Sequence, residues 1–177
     1  MQFVNSKHIF VSPILFVLIY FSISLGSRIC FYRNYFIFNE IKVLDLYAGI
    51  GNISYEFGSR GCNEIDSVDI NFRCTDFIKK MAKEFNLKIK IFTLSVDKFI
   101  MKNESKYDII FADPPYPFVD KKYSDLINSI FDLNMLNKGG LLVIEHYKKI
   151  ELNKHKMFYF DKTYGGTTLS FIKKASL

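Results

Sequence analysis

Four consecutive residues, Asp113-Pro114-Pro115-Tyr116, follow the largely apolar run Tyr107 to Ala112. An acid, two conformationally fixed imino acids and an aromatic ring at the end of an apolar strand make a set that can hold an amine. The exocyclic amine of a nucleobase is a poor nucleophile because its lone pair is delocalised into the ring. An enzyme that alkylates it must pin the amine so that the lone pair points at the donor. Asp113 can accept one N–H and the Pro114 carbonyl the other, and the prolines, with φ fixed at about −65°, hold that carbonyl in place. Tyr116 offers a face on which a base turned out of its stack can lie. The gain is in orientation and charge placement, so neither a metal nor a covalent intermediate is required. The plain alternative is a Pro-Pro turn closing a strand, which is common. The surrounding elements decide between the two.

A second cluster precedes it. Asp45 ends the apolar run 41–46, and Tyr47, Ala48, Gly49, Gly51 and Asn52 follow in the stretch "YAGIGN". Two glycines allow a tight turn and close backbone approach to a ligand. Asp69, followed by Ile70, ends the next apolar run eighteen residues after Gly51, where an acid can accept hydrogen bonds from ribose hydroxyls. The third glycine of a dinucleotide fingerprint is absent; Ser54 stands there. An adenosine ligand without a pyrophosphate, such as S-adenosylmethionine (SAM), fits better. The alternative is a tight glycine turn flanked by capping acids.

The elements that must position these residues alternate along the chain. Apolar runs predict strands over 41–46, 64–70, 88–94, 107–112 and 141–146. Helices are expected over 52–59, 71–85 and 121–136, the last ended by Gly139 and Gly140. In the second of these, Cys74, Phe77, Ile78, Met81, Ala82 and Phe85 recur at helical spacing and are expected in the core. In the third, Tyr123, Leu126, Ile127, Ile130 and Phe131 are expected to face inward. Residues 157–172 read as two strands around Gly165-Gly166. The expected fold is α/β and Rossmann-like: a mostly parallel sheet, helices on both faces and a C-terminal antiparallel hairpin.

The whole-chain properties agree with a catalytic domain that meets a polyanion. The chain has 177 residues, 49% of them hydrophobic, and a net charge of +6. The positive charge gathers late: between Tyr147 and the C-terminus stand Lys148, Lys149, Lys154, Lys156, Lys162, Lys173 and Lys174 against Glu151 and Asp161. A basic end favours nucleic acid, although a solvated lysine face is the simpler reading. Cys30, Cys62 and Cys74 form no CxxC pair. No disulfide framework or zinc site is expected, and a reducing cytoplasm is the simplest compartment.

The stretches "VLDLYAGIGNISYEFGSRG", "DIIFADPPY", "LLVIEH" and "YGGTTLSF" together resemble the RsmD family, SAM-dependent methyltransferases that modify the exocyclic N2 of one guanine in small-subunit (16S) ribosomal RNA. The resemblance runs from about Asn34 to Ile172. It implies that Asp45, Gly49 and Gly51 line SAM, with Asp69 on its ribose. Asp113, Pro114, Pro115 and Tyr116 would hold the guanine of ribosomal RNA or of an assembled small subunit. At the third strand end, where the family usually has an Asp near the adenine, this chain has Ser95 with Val96 beside it. Two other readings stay open: an adenine-N6 methyltransferase on DNA or RNA, and a non-catalytic homologue that binds RNA or SAM. A monomer is the default expectation.

Residues 1–33 do not match the family, which begins with a basic, glycine-containing hairpin. Instead, 19 mostly apolar residues run uncharged between His8 and Arg28, near the length that crosses a bilayer. They read as a membrane anchor, a buried arm or the product of a shifted upstream reading frame. The abrupt start of the match favours the last. The domain division expected is 1–33 and 34–177.

Overall fold

The computed structural model describes residues 38–115 and 120–173. The apolar run 9–27, the start of the resemblance at Asn34 and Tyr116 lie outside them. Among the described residues no helix is long and apolar enough to cross a membrane.

Strands β1 (Lys42–Leu46), β2 (Glu64–Asp69), β3 (Ile89–Thr93), β4 (Tyr107–Ala112), β5 (Leu136–Tyr147), β6 (Phe158–Tyr164) and β7 (Thr167–Ile172) form one sheet in the order β3-β2-β1-β4-β5-β7-β6. The first five pair in parallel, and the hairpin β6–β7 adds antiparallel to β5. The expected α/β class and closing hairpin are therefore present. The strand order reverses between β1 and β4. At that switch point the connections leave to opposite faces and open a crevice beyond the strands' carboxyl ends.

Alternation along the strands divides the side chains between two faces. On one face Leu44, Leu46, Ile110, Ala112, Leu142 and Ile144 are buried. They pack with Val96, Phe99 and Ile100 of α3 (Val96–Lys102) and with Tyr123, Leu126, Ile127 and Ile130 of α4 (Asp120–Asp132). On the other face lie α1 (Asn52–Ser59), which buries Ile53, Ser54 and Phe57, and α2 (Phe72–Glu84), which buries Thr75, Ile78 and Ala82.

Three departures from the periodicity have local causes. Phe77 and Phe85 are not core: they are 43% and 52% exposed. Cys74 and Met81 are half-buried. The stripe of α2 that meets the sheet is narrower than the apolar pattern, and Phe85 lies edge-on to Tyr55 instead. Helix α3 is an addition; seven residues are too few for a hydrophobic period to register, and its marker is the Ser95 N-cap. Finally, α4 stops at Asp132, not at 136. Asn134 turns into the left-handed region at φ 51, Met135 N–H closes onto the Ile130 carbonyl at 3.0 Å, and β5 starts at Leu136, five residues before the expected strand.

Polar contacts fix the amino ends of the strands. The Lys42 amide and the Asn137 side chain donate to the two oxygens of Asp108, each at 2.8 Å. The fully buried Tyr107 hydroxyl lies 2.7 Å from Asp66 Oδ2 and 3.0 Å from Asn103 Oδ1. Tyr107→Phe strips a partner from the buried Asp66 carboxylate. It should lower stability by about 1–3 kcal/mol in urea unfolding, without changing the strand-end site.

Candidate active site

The carboxyl ends of β1, β2, β4 and β5 converge at the switch point. Asp45 is the buried centre of that end, 1% exposed. Its Oδ2 accepts from the Ser54 amide at 3.1 Å and from the Ser54 hydroxyl at 2.6 Å, and the Ser67 hydroxyl stands 2.5 Å from that of Ser54. Burial, reinforced by the charges of Asp113 and Asp69, pushes Asp45 up to about 7 against the lowering effect of the Ser54 hydrogen bonds. Its carboxyl is thus turned into the first turn of α1, where it locks the glycine turn.

That turn is wound by three left-handed residues: Tyr47 at φ 58, Gly49 at φ 54 and Gly51 at φ 89. The two glycines differ. A Cβ on Gly49 would meet nothing within 4 Å, whereas one on Gly51 would come within 2.8 Å of Ile78 Cγ1 and 2.9 Å of the Tyr55 ring. Gly49 thus fits the expected open approach. The side of Gly51 on which a Cβ would stand is occupied by the protein itself, and glycine is required there to seat α2 on the turn. The Ala48 amide donates to the Val68 carbonyl at 3.0 Å and its carbonyl accepts from the Gly51 amide at 2.8 Å, while Asn52 is exposed at the start of α1.

Asp69 ties two turns together. Its Oδ2 accepts from the Gly49 amide at 2.8 Å and its Oδ1 from the Asn71 amide at 2.7 Å. Each oxygen keeps a second lone pair for a ligand hydroxyl. Beside it Ile70 is 73% and Phe72 71% exposed, an apolar ledge on which a flat heterocycle can rest. Phe72 was not singled out in the sequence, where it stands outside the apolar stripe of the helix it begins. Ser95 is half-buried and caps α3, accepting from the Lys98 amide at 3.4 Å. Val96 lies in the core and not on the ledge.

Across the switch point, the Asp113 amide continues the ladder onto the Leu46 carbonyl at 3.4 Å. Its side chain is open to solvent, with protein crowded on the inner side, and desolvation pushes it up to about 6. Pro114 is buried and Pro115 exposed. Tyr116 lies outside the described residues. One residue the motifs do not single out joins this group. Glu145, on β5, stands at the position next to Asp113, since Ala112 pairs with Ile144. Its Oε2 is buried and has no hydrogen-bond partner among the described residues. Its neighbour His146 is a core histidine: Nδ1 contacts the Tyr147 carbonyl at 3.0 Å and Nε2 the Ser170 hydroxyl at 2.8 Å. Burial lowers its pKa. A separate groove of about 520 Å³, lined by Lys42, Glu64, Asp66, Lys88 and Lys90, lies at the amino ends of the strands, away from this chemistry.

The residues at the β1 and β2 ends fit SAM. They offer a backbone turn open at Gly49, an acid with free lone pairs at Asp69 and the Ile70–Phe72 ledge. The buried Tyr55 hydroxyl, beside Gly51, is a donor without a partner among the described residues.

Comparison with known proteins identifies the family and the fold. The family model described as "Conserved hypothetical protein 95" matches residues 30–173. The "Putative rRNA methyltransferase YlbH" of Bacillus subtilis is 30% identical over 145 residues, 77% of this chain and 78% of that protein. The "Ribosomal RNA small subunit methyltransferase D" of Buchnera aphidicola is 30% identical over 110 residues; the match spans 61% of this chain and 56% of that protein. Among solved structures, the Thermus thermophilus 16S rRNA N2 methyltransferase RsmC, in complex with AdoMet and guanosine, superposes with a TM-score of 0.64 at 20% identity. The superposition covers 77% of this chain and 38% of that one. At that identity the likeness is one of fold.

Two outcomes follow. Gly51→Ala combines left-handed strain with a clash, and should cost about 2–4 kcal/mol; Gly49→Ala carries the strain alone, about 1–2 kcal/mol. Denaturant unfolding of the pair separates the two roles. Asp45 has a folded pKa raised above its unfolded one, so its contribution favours the fold below about pH 4 and is lost as pH rises to about 7. Thermal unfolding of the wild type should therefore weaken from pH 5 to pH 8, and Asp45→Asn should flatten that decline.

Proposed function

The chain belongs to the family described as Conserved hypothetical protein 95, the RsmD family of SAM-dependent methyltransferases, and we propose that it transfers a methyl group to the exocyclic N2 amine of a guanine in small-subunit ribosomal RNA. The observation that carries this reading is the placement of Asp113, Pro114 and Pro115 at the end of β4, directly across the switch point from the glycine turn of β1. The names of the two ribosomal RNA methyltransferases it matches support the substrate class.

SAM supplies an electrophilic methyl group on a sulfonium sulfur. The rest is done by the chain's residues. Asp113, as a carboxylate, accepts one N–H of the amine, and the Pro114 carbonyl, held by the proline geometry, accepts the other. Both hydrogens then lie in defined directions and the lone pair is left facing the methyl donor. Tyr116 is the expected stacking surface for the base. Transfer would form the N–C bond as the methyl–sulfur bond breaks, with the neutral thioether as leaving group, and the nitrogen would then carry an excess proton and be strongly acidic. The proton passes to Asp113 or to water, so no strong base is required.

The C-terminal region supplies groups suited to a polyanion. Lys149 Nζ lies 5.8 Å from the Tyr147 ring centroid at the end of β5, and Lys173 Nζ lies 3.4 Å from that of Tyr159 on β6. Ammonium groups held on aromatic faces can meet phosphates and bases together. The matching compartment is the cytoplasm, where small subunits are assembled.

The test uses methyl-labelled SAM with small ribosomal subunits, naked ribosomal RNA and duplex DNA, followed by digestion to nucleosides. N2-methylguanosine from the ribosomal substrates is the expected product; N6-methyladenosine, or label in DNA alone, overturns the reading. Asp113→Ala should bind SAM nearly as the wild type does by calorimetry and lose methyl transfer by orders of magnitude, since only the amine contact is removed.

A further inference from the structure

We infer that Glu145 reads the ring edge of the target base, its carboxylate accepting the N1–H of guanine beside the amine that Asp113 holds. The inference rests on the proposed guanine-N2 reaction and extends it to the choice of base.

Three observations carry it. Glu145 is adjacent to Asp113 by strand register, at the carboxyl end of β5. Its Oε2 is buried yet without a partner, which is costly for a charged group unless a ligand supplies the donor. The described neighbours on its strand and on the flanking strands do not offer that donor: β4 places the acid Asp113 beside it, β7 places Leu169 opposite it, and His146 is occupied with Ser170 and the Tyr147 carbonyl.

The chemistry of the bases then selects the ligand. Adenine, cytosine and guanine all carry an exocyclic amine that Asp113 and Pro114 can hold. The ring nitrogen next to that amine is an acceptor in adenine (N1) and cytosine (N3). Only in guanine does it bear a hydrogen, at N1. An ionised acceptor placed beside the amine clamp therefore makes one more charge-assisted hydrogen bond to guanine and opposes a lone pair in the other two. Burial and the neighbouring Asp113 push Glu145 up to about 7 in the free protein. The accepting, ionised form fills as pH rises through that value.

The experiment measures kcat/KM against pH for formation of N2-methylguanosine on small subunits, with calorimetric SAM affinity and thermal melting, for wild type, Glu145→Met and Glu145→Gln. Methionine keeps the length and removes the acceptor; glutamine restores a neutral acceptor. Loss of one hydrogen bond to a charged group predicts a 10- to 100-fold fall in kcat/KM for the methionine variant, with SAM affinity within about twofold of wild type. Glutamine should recover most of the activity. Its acidic limb should also move from near 7 to near 6, the value to which Asp113 is pushed. That shift is something a purely structural role would not produce. Unchanged kcat/KM in the methionine variant overturns the inference. So does a loss that tracks SAM affinity or melting, or one that glutamine fails to recover. The wild-type arm separates the two levels: a wild type that makes N6-methyladenosine, or no N2-methylguanosine, overturns the guanine reading and this inference with it, whereas failure confined to the variants overturns only the role of Glu145.

Discussion

The buried contact between Asp45 and Ser54 holds the catalytic end of the molecule together. Parallel strands deliver their carboxyl ends to one edge of the sheet, but they do not shape what stands there. Asp45 does so by reaching from the end of β1 into the first turn of α1, taking both the amide and the hydroxyl of Ser54, with Ser67 of β2 behind it. The glycine turn is trapped between those anchor points. Because the turn is trapped, the Gly49 amide meets Asp69, the residue that precedes the exposed Ile70. The acid that reads as a cofactor ligand in the sequence serves first as the internal clamp of the cofactor turn.

Much of this was legible in the sequence, for reasons that differ by element. The strands carry dense β-branched and apolar runs, so β1, β2 and β4 fall within a residue of expectation, and the order of motifs implies the parallel sheet. Asp113 and Pro114 stood out in the sequence because an acid and two prolines follow an apolar run directly, and the structure places them at the end of β4; the same four residues could equally close a strand with a plain turn. The long-range relations were less visible. That Gly51 serves the packing of Ile78 and Tyr55 depends on where α2 sits, which no local pattern encodes. The burial of Phe77 and Phe85 was overestimated because an amphipathic stripe shows which face turns inward but not how much of it the sheet covers. Ser95 stood out as a departure from a family pattern; its place at the N-cap of a seven-residue helix emerged only with the fold. Glu145 was hidden most completely. It stands inside the apolar strand read over 141–146, and its neighbour Asp113 is distant in sequence.

The strand ends also accumulate acid. Asp45, Asp113 and Glu145 all have raised pKa values, and burial is the first cause for each. The edge of the sheet thus has an electrostatic environment suited to positive charge and to N–H donors. Both are supplied by the ligands the family uses and by the base proposed here: a sulfonium cation on one side of the switch point and a base edge rich in N–H groups on the other. The lysines that flank the closing hairpin, Lys148, Lys149, Lys154, Lys156 and Lys173, carry the opposite sign, which suits phosphates.

A cluster of carboxyls balanced near neutrality makes occupancy and protonation interdependent. A cation bound at this strand end would lower the affinity of the raised Asp45 carboxyl for its proton, and that proton would then leave to the solvent. The heat of cofactor binding will therefore contain a contribution from whatever buffer absorbs it, and will differ between buffers of low and high ionisation enthalpy at the same pH. Apparent affinity will tighten as the medium becomes more alkaline across the range where these groups titrate, even though no contact between protein and ligand has changed.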